Sequence, residues 1–489
     1  MPTTETLTPT TLDLTSIRAQ FPSLSQTVNG HPAAFLDGPG GTQVSQRVID
    51  AISNYLGRNN ANTCGAYATS RNTDAVLAEA RAAMADFLHC GADEVVFGPN
   101  MTTLTYMMSR AIGRDLGPGD EILVTRLDHD ANVSPWLALE EKGMTIRWAE
   151  IHEENCTLDL ADLASKINDR TKLVAVGYAS NAVGTINPVK AIIRLAHAAG
   201  AFAYIDAVHY APHGLIDVAA LDCDFLVCST YKFFGPHMGV LFGKREHLQC
   251  LRPYKVRPLI DTIPNRWEWG TLNHECIAGI TACVDYIADL GPHSLMTSER
   301  EENSGKKHVG TDAPSTSSGQ AFVRRSSEAR PSERSNRRAA LVAAYEAIHH
   351  YEHGLMERLI TGLNEIRGMK IYGITDPARF QERCPTLAVR VMNQTQEQTP
   401  LALATKLGER GFFTWDGNYY ALNLTERLDV ETSGGFLRIG LVHYNTAEEV
   451  DRLLAALREI VKQSSLETGS GEAKPIAQNR SSRKSDAKR

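Results

Sequence analysis

Short apolar runs that end in polar turns recur from Phe35 to about Leu290, separated by stretches with apolar residues at helical spacing. "ADEVVFGPN" closes in a loop before "MTTLTYMMSRAI", which has the helical period. "GDEILVTRLDHDAN" and "TKLVAVGYASNAVG" read as strands leading into polar turns. "AHAAGAFAYIDAVHY" passes from helix to strand, and "DCDFLVCSTYK" is a further strand. This alternation predicts an α/β fold with a mainly parallel, doubly wound sheet over residues 35–291. Residues 1–34 are expected to pack on a smaller domain that follows.

The pattern breaks over 292–337, where "SEREENSGKKHVGTDAPSTSSGQ" and "RRSSEARPSERSNRR" carry almost no apolar residues. Such a segment buries too little surface to offset ordering, which predicts a disordered surface insertion. Amphipathic spacing resumes in "AALVAAYEAIHHYEHGLMERLITGLNEI", a long helix. The strands "MKIYGI", "PTLAVRVM" and "GFLRIGLVHYN" and the closing helix "TAEEVDRLLAALREIVK" complete a small α+β domain, 338–463. Residues 464–489 read as a disordered tail.

Composition narrows the function classes. The 489 residues carry 50 Lys+Arg against 57 Asp+Glu, a formal charge of -7, which argues against nucleic acid or an anionic membrane as partner. No secretory signal opens the chain, and no apolar run reaches the length of a membrane span. Nine scattered cysteines without a C-x-x-C pair suit reduced thiols in a cytoplasmic protein, with neither a disulfide framework nor a zinc site. His349 and His353 share a helix face, but without a third ligand type nearby a solvated face is the preferred reading, and no metal site is expected.

The chemistry gathers at strand ends, where an open α/β sheet places its ligands. Lys232 follows an apolar strand in "CSTYKFFGPHMGVLFG". Taken alone it is equally a snorkelling lysine or a Schiff-base lysine. Asp206 closes the strand of "YIDAVHYAP", either capping a turn or holding a pyridinium N–H. The amides of Met101 to Thr103, with the Thr102 hydroxyl, open a helix and suit an anion. His129 lies past a strand in "RLDHDANVSPW" as a flat ring able to stack, and Asn181 in "ASNAVGTINPV" offers an amide donor.

Together these positions supply what a pyridoxal 5'-phosphate pocket requires. In chain order the sequence resembles the class V aminotransferases of fold type I, most closely their cysteine desulfurase/selenocysteine lyase branch, from "FLDGPGGTQVS" to "LRIGLVHYNTAEEVDRL". The resemblance implies that Lys232 is the cofactor lysine, Asp206 the ring-nitrogen partner, His129 the stacking and catalytic residue and Asn181 a contact of the phenolic oxygen. It implies phosphate ligands at Thr102, Thr103 and Ser229. His209 stands where many relatives have Gln, and Tyr231 where most have His. Thr271 in "RWEWGTLN" would reach the phosphate held by the other subunit of a homodimer. Arg438 would grip the α-carboxylate of a small amino-acid substrate as a planar fork, with Asn181 as a second substrate contact.

One motif departs. Relatives carry Arg-x-Gly-x-x-Cys on a small-domain loop, whereas "RGFFTWDGNYYALNL" has Trp415 at the Arg position and Tyr420 at the cysteine position. No cysteine follows Cys384. Cys64, in a segment that lines the substrate mouth in relatives, is either a substitute nucleophile or an incidental loop residue. The expectation is therefore a desulfurase-like enzyme lacking the usual thiol. Aminotransferase, epimerase or β-elimination lyase activity, or a non-catalytic cofactor-binding regulator, are its rivals. A nicotinamide-binding fold would need a G-x-G-x-x-G after a strand, and none is present.

Overall fold

The buried runs pair into one sheet. In the computed structural model, which describes residues 12–291, 331–392 and 398–467, its strands are β1 (Val95–Gly98), β2 (Glu121–Thr125), β3 (Thr145–Ala149), β4 (Thr171–Gly177), β5 (Phe202–Asp206), β6 (Phe225–Ser229) and β7 (Gly239–Gly243). Their order is β1-β7-β6-β5-β4-β2-β3, and only β7 runs antiparallel to its neighbours. Every position of β1, β2, β6 and β7 is buried, because helices cover both faces. Alternate residues serve opposite cores: Val96, Val124, Tyr204 and Val227 pack with α3 (Met101–Ile112) on one face. Phe97, Leu123, Ile205 and Leu226 pack with α4 (Val189–Ala198) on the other. Strands β3 and β7 are the elements of this sheet that the periodicity did not announce. Gly239 in β7 lies so close to Asn100 that a Cβ would strike that residue's backbone, so only glycine lets β7 reach the start of α3.

A second sheet is antiparallel, with β8 (Met369–Tyr372), β9 (Thr386–Val391), β10 (Trp415–Gly417) and β11 (Phe436–Gly440) in the order β8-β9-β11-β10. Leu387, Val389, Leu437 and Ile439 face the helices and bury against Leu359 and Leu457. The pleat therefore turns Arg438, between two of them, toward the large sheet. Near the start of the described chain, Ala34–Phe35 pairs in parallel with Phe412–Phe413, and Arg18 reaches Glu449 at 3.0 Å.

The long helix begins earlier than its apolar spacing indicated. It spans Pro331–Asn364, so residues 331–337 are helical rather than part of the insertion. The reason is electrostatic: Arg337 meets Glu79, Asp86 and Asp285 at 2.6, 3.0 and 2.9 Å, a use of arginine that composition alone reads as solvent exposure. Residues 464–467, expected in the tail, continue the last helix, Ala447–Glu467, while residues 292–330 and those beyond Glu467 lie outside the described residues. Among the described residues no helix is long and apolar enough to cross a membrane.

Candidate active site

Strands β6, β5, β4 and β2 are consecutive in the sheet and parallel, so the residues just past their carboxyl ends converge. They line one cavity: Lys232 and Tyr231 after β6, Asp206 and His209 from β5, Asn181 after β4, Asp128 and His129 after β2, and Thr102 from the start of α3. Lys232 Nζ donates to the Pro39 carbonyl and, at 3.0 Å, to that of Gly40. Burial lowers its pKa to about 7; Arg438 adds to this, while Asp37 and Asp206 partly oppose it. A sizeable share of the amine is thus free base near neutrality, which an electrophilic carbonyl requires of it.

Two carboxylates are buried beside it. Burial lifts Asp206 to about 6, against the Val208 amide that donates to its Oδ1 at 2.9 Å and against Lys232. Asp128 is lifted to about 7 by burial and by the charge of Asp206, although Gly177 N–H donates to it at 2.7 Å and Asn132 at 3.0 Å. Lys232 offsets only part of this burial cost, so a cationic ring N–H against Asp206 would hold it ionised.

His129 accepts the Ala131 N–H on Nδ1 at 3.0 Å, and burial, with Lys232 and Arg438, pushes its pKa down to about 3. It is a neutral, flat ring. Tyr420 stacks on it with centroids 5.3 Å apart and 25° between planes, and the Tyr420 carbonyl accepts the Asp130 N–H at 2.7 Å. Asn181 donates to the Tyr419 carbonyl at 2.8 Å. Its Oδ1 and the Nε2 of His209 are buried without a partner.

Several expected contacts lie off this cavity. Thr103 N–H is taken by Asn100 Oδ1 at 2.8 Å, because asparagine caps α3. Ser229 Oγ accepts the Met101 N–H at 3.1 Å. Two of the three amides in the expected anion nest are therefore engaged. Thr271 borders a neighbouring cavity with Thr103 and His237, whose ring stacks on Tyr231 at 4.8 Å. Cys64 is exposed, tied through its N–H to Asp74 at 3.0 Å, and is not among the residues lining the Lys232 cavity. Arg438 approaches from β11, donating to the Asn181 carbonyl at 3.1 Å, pairing with Asp37 at 2.8 Å and stacking over Tyr419 at 4.2 Å.

Asp128, Asp37 and Tyr419 were not singled out by the sequence. Asp128 was findable as a strand-end carboxylate beside His129, and Asp37 sits in "FLDGPGG"; Tyr419 carried no local signal.

The family model described as Aminotransferase class-V matches residues 34–307 and 339–453. The chain belongs to the class V aminotransferase family. It is similar to a cysteine desulfurase of Dickeya dadantii, 36% identical over 300 residues that cover 58% of this chain and 73% of that one. A cysteine desulfurase of Pectobacterium atrosepticum is 30% identical over 461 residues, 91% of this chain and 97% of that one. Among solved structures, the apo cysteine desulfurase from Thermococcus onnurineus superposes with a TM-score of 0.74 at 22% identity, covering 94% of this chain and 100% of that one. The fold is thus that of the fold-type I enzymes. Class V enzymes use pyridoxal 5'-phosphate, and this one is a cysteine desulfurase-like enzyme dependent on that cofactor. The residues present fit the group: a buried amine near neutrality, a buried carboxylate facing it, a neutral flat ring, and an unpartnered amide oxygen on Asn181.

Proposed function

We propose that this class V enzyme acts on the α-amino group of a small L-amino acid without a loop thiol. Lys232 anchors the cofactor through Nζ, Asp206 faces its ring nitrogen, and His129 lies against its ring. Asn181, His209 and Tyr231 attend its edge, with Thr102, Thr103 and Ser229 toward the phosphate. When bound, the cofactor supplies a protonated ring that accepts the electrons released at the substrate Cα. Arg438, released from Asp37, grips the α-carboxylate with both arms of its fork. Lys232, with its pKa near 7, takes and returns the proton at Cα.

Exposed Tyr254, Val256, Ile260 and Trp269 lie in the stretch leading to Thr271. They support a homodimer in which Thr271 completes the other subunit's phosphate site. The charge balance and reduced cysteines support a cytoplasmic setting.

The observation that carries the reading is Tyr420, exposed and stacked on His129 where a persulfide-forming cysteine would act. With no thiol there, the geometry favours β-elimination, transamination or epimerisation over sulfur transfer to the enzyme. Incubation with L-cysteine tests this. Pyruvate with sulfide, or no sulfide at all, is the expected result, unchanged in Cys64→Ser. Stoichiometric alanine with a protein persulfide would overturn the reading.

A further inference from the structure

Past Asp206 the chain turns sharply, and the turn brings His209 and His213 together with ring centroids 5.3 Å apart. Facing them is Cys384, just before β9. One ligating atom from each of the three lies within 4.8 Å of the other two, and all three residues are buried. Among the described residues this is the only such group of histidine, cysteine or acidic side chains. His213 Nδ1 is held by Glu352 Oε2 at 2.7 Å, which leaves its Nε2 free to bind. That Nε2 and the Nε2 of His209 are both buried without a partner, and the two residues are each only 4% exposed. Unpartnered polar atoms in an interior are costly, and two on neighbouring rings that face a buried thiol call for a shared partner.

We propose that His209, His213 and Cys384 bind a divalent cation of the zinc class, with Glu352 orienting His213 from behind. Two imidazoles and one thiolate are a ligand set suited to zinc rather than to magnesium or calcium. A carboxylate on the far nitrogen of a ligating histidine is the usual support for such a ligand. The 2+ ion is met by one thiolate and, behind His213, by the buried Glu352 carboxylate. Binding forms a metal–sulfur bond and releases the Cys384 proton to solvent, with no change of oxidation state. Tetrahedral zinc separates its ligand atoms by about 3.3–3.6 Å, so the cluster closes by about 1 Å on loading. Arg383, next in the chain, directs its guanidinium to the carbonyls of Val183 and Thr386 at 3.2 and 2.7 Å. A cavity of about 540 Å³ borders His213 and Cys384 and carries His349 and His353 on its wall, which provides a route in and room for a fourth ligand.

The site joins three elements: the turn after β5, the start of β9, and α6 (Pro331–Asn364), which carries Glu352. It also fixes His209, whose ring borders the Lys232 cavity. The ion is thus a strut between the two sheets, independent of how the amino-acid chemistry is assigned.

The full-length holoenzyme, treated with chelator and then titrated with zinc chloride, provides the test, with metal content read after gel filtration. One zinc per chain is expected in the wild type and in His349→Ala, and none in Cys384→Ser or His213→Asn that retain the native circular dichroism. Glu352→Gln is expected to weaken zinc binding by about 10–100-fold. Zinc-edge X-ray absorption of the wild type needs no variant, and should show a sulfur neighbour at about 2.3 Å with nitrogens at about 2.0 Å. No retained zinc, an oxygen-only shell, full zinc in Cys384→Ser or loss in His349→Ala would each overturn the proposal.

Discussion

Burial, more than any single neighbour, decides the charge of Lys232, and the two carbonyls that hold its amine do not restore what water would give. The unfolded chain keeps the Lys232 proton to about pH 10.5 and the folded chain only to about 7. This group therefore opposes folding most below about pH 7, and that penalty is relieved as pH rises across the interval. The same shift sets reactivity: capture of pyridoxal 5'-phosphate by the cofactor-free enzyme should accelerate through a midpoint near pH 7, not near 10, in stopped-flow absorbance. At Arg438 the Asp37 pair marks a guanidinium already desolvated and waiting for a second carboxylate. Arg438→Ala should weaken amino-acid binding by about 2–5 kcal/mol, read as the shift in half-saturation of the amino-acid-induced absorbance change. Lys232, Asp206, His129 and Asn181 were legible because each lies just past an apolar strand. Asp37 was not, because its partner Arg438 lies on a strand 401 positions along the chain.

Elements were legible where one period held. "MTTLTYMMSRAI" is α3 from end to end, since both its apolar face and its Asn100 cap are local. Strand β7 was missed because glycines break its pattern, and β10 because it is only Trp415–Gly417. The loop after β10 was equally opaque: Tyr419 and Tyr420 adopt φ of +55° and +61°, a left-handed conformation that sequence gives to Gly or Asn. The start of α6 was hidden by its own polarity. Arg337, read as solvated, bridges acidic residues of α2 (Ala68–Leu88) and α5 (His274–Ala288). Arg337→Met should therefore cost about 2 kcal/mol, measured from urea unfolding midpoints, because three carboxylates lose their shared partner.

At the scale of the molecule, the site is where two sheets meet. The parallel sheet supplies the strand-end residues, and the pleat of β11 turns Arg438 across to them. Tyr420 covers His129 from the small-sheet side. The zinc-class site spans the same junction. The apolar stretch leading to Thr271 belongs to this scale too: light scattering should give twice the mass of one chain, and Ile260→Asp should shift the protein toward monomer. The central claim is that Lys232 holds the cofactor, and borohydride reduction of the purified enzyme followed by peptide mass spectrometry tests it most directly. The account predicts a yellow protein whose absorbance band collapses on reduction, with one phosphopyridoxyl group on the peptide containing Lys232 and none in Lys232→Ala. A colourless protein that takes up no pyridoxal 5'-phosphate, or a label on another lysine, would contradict it.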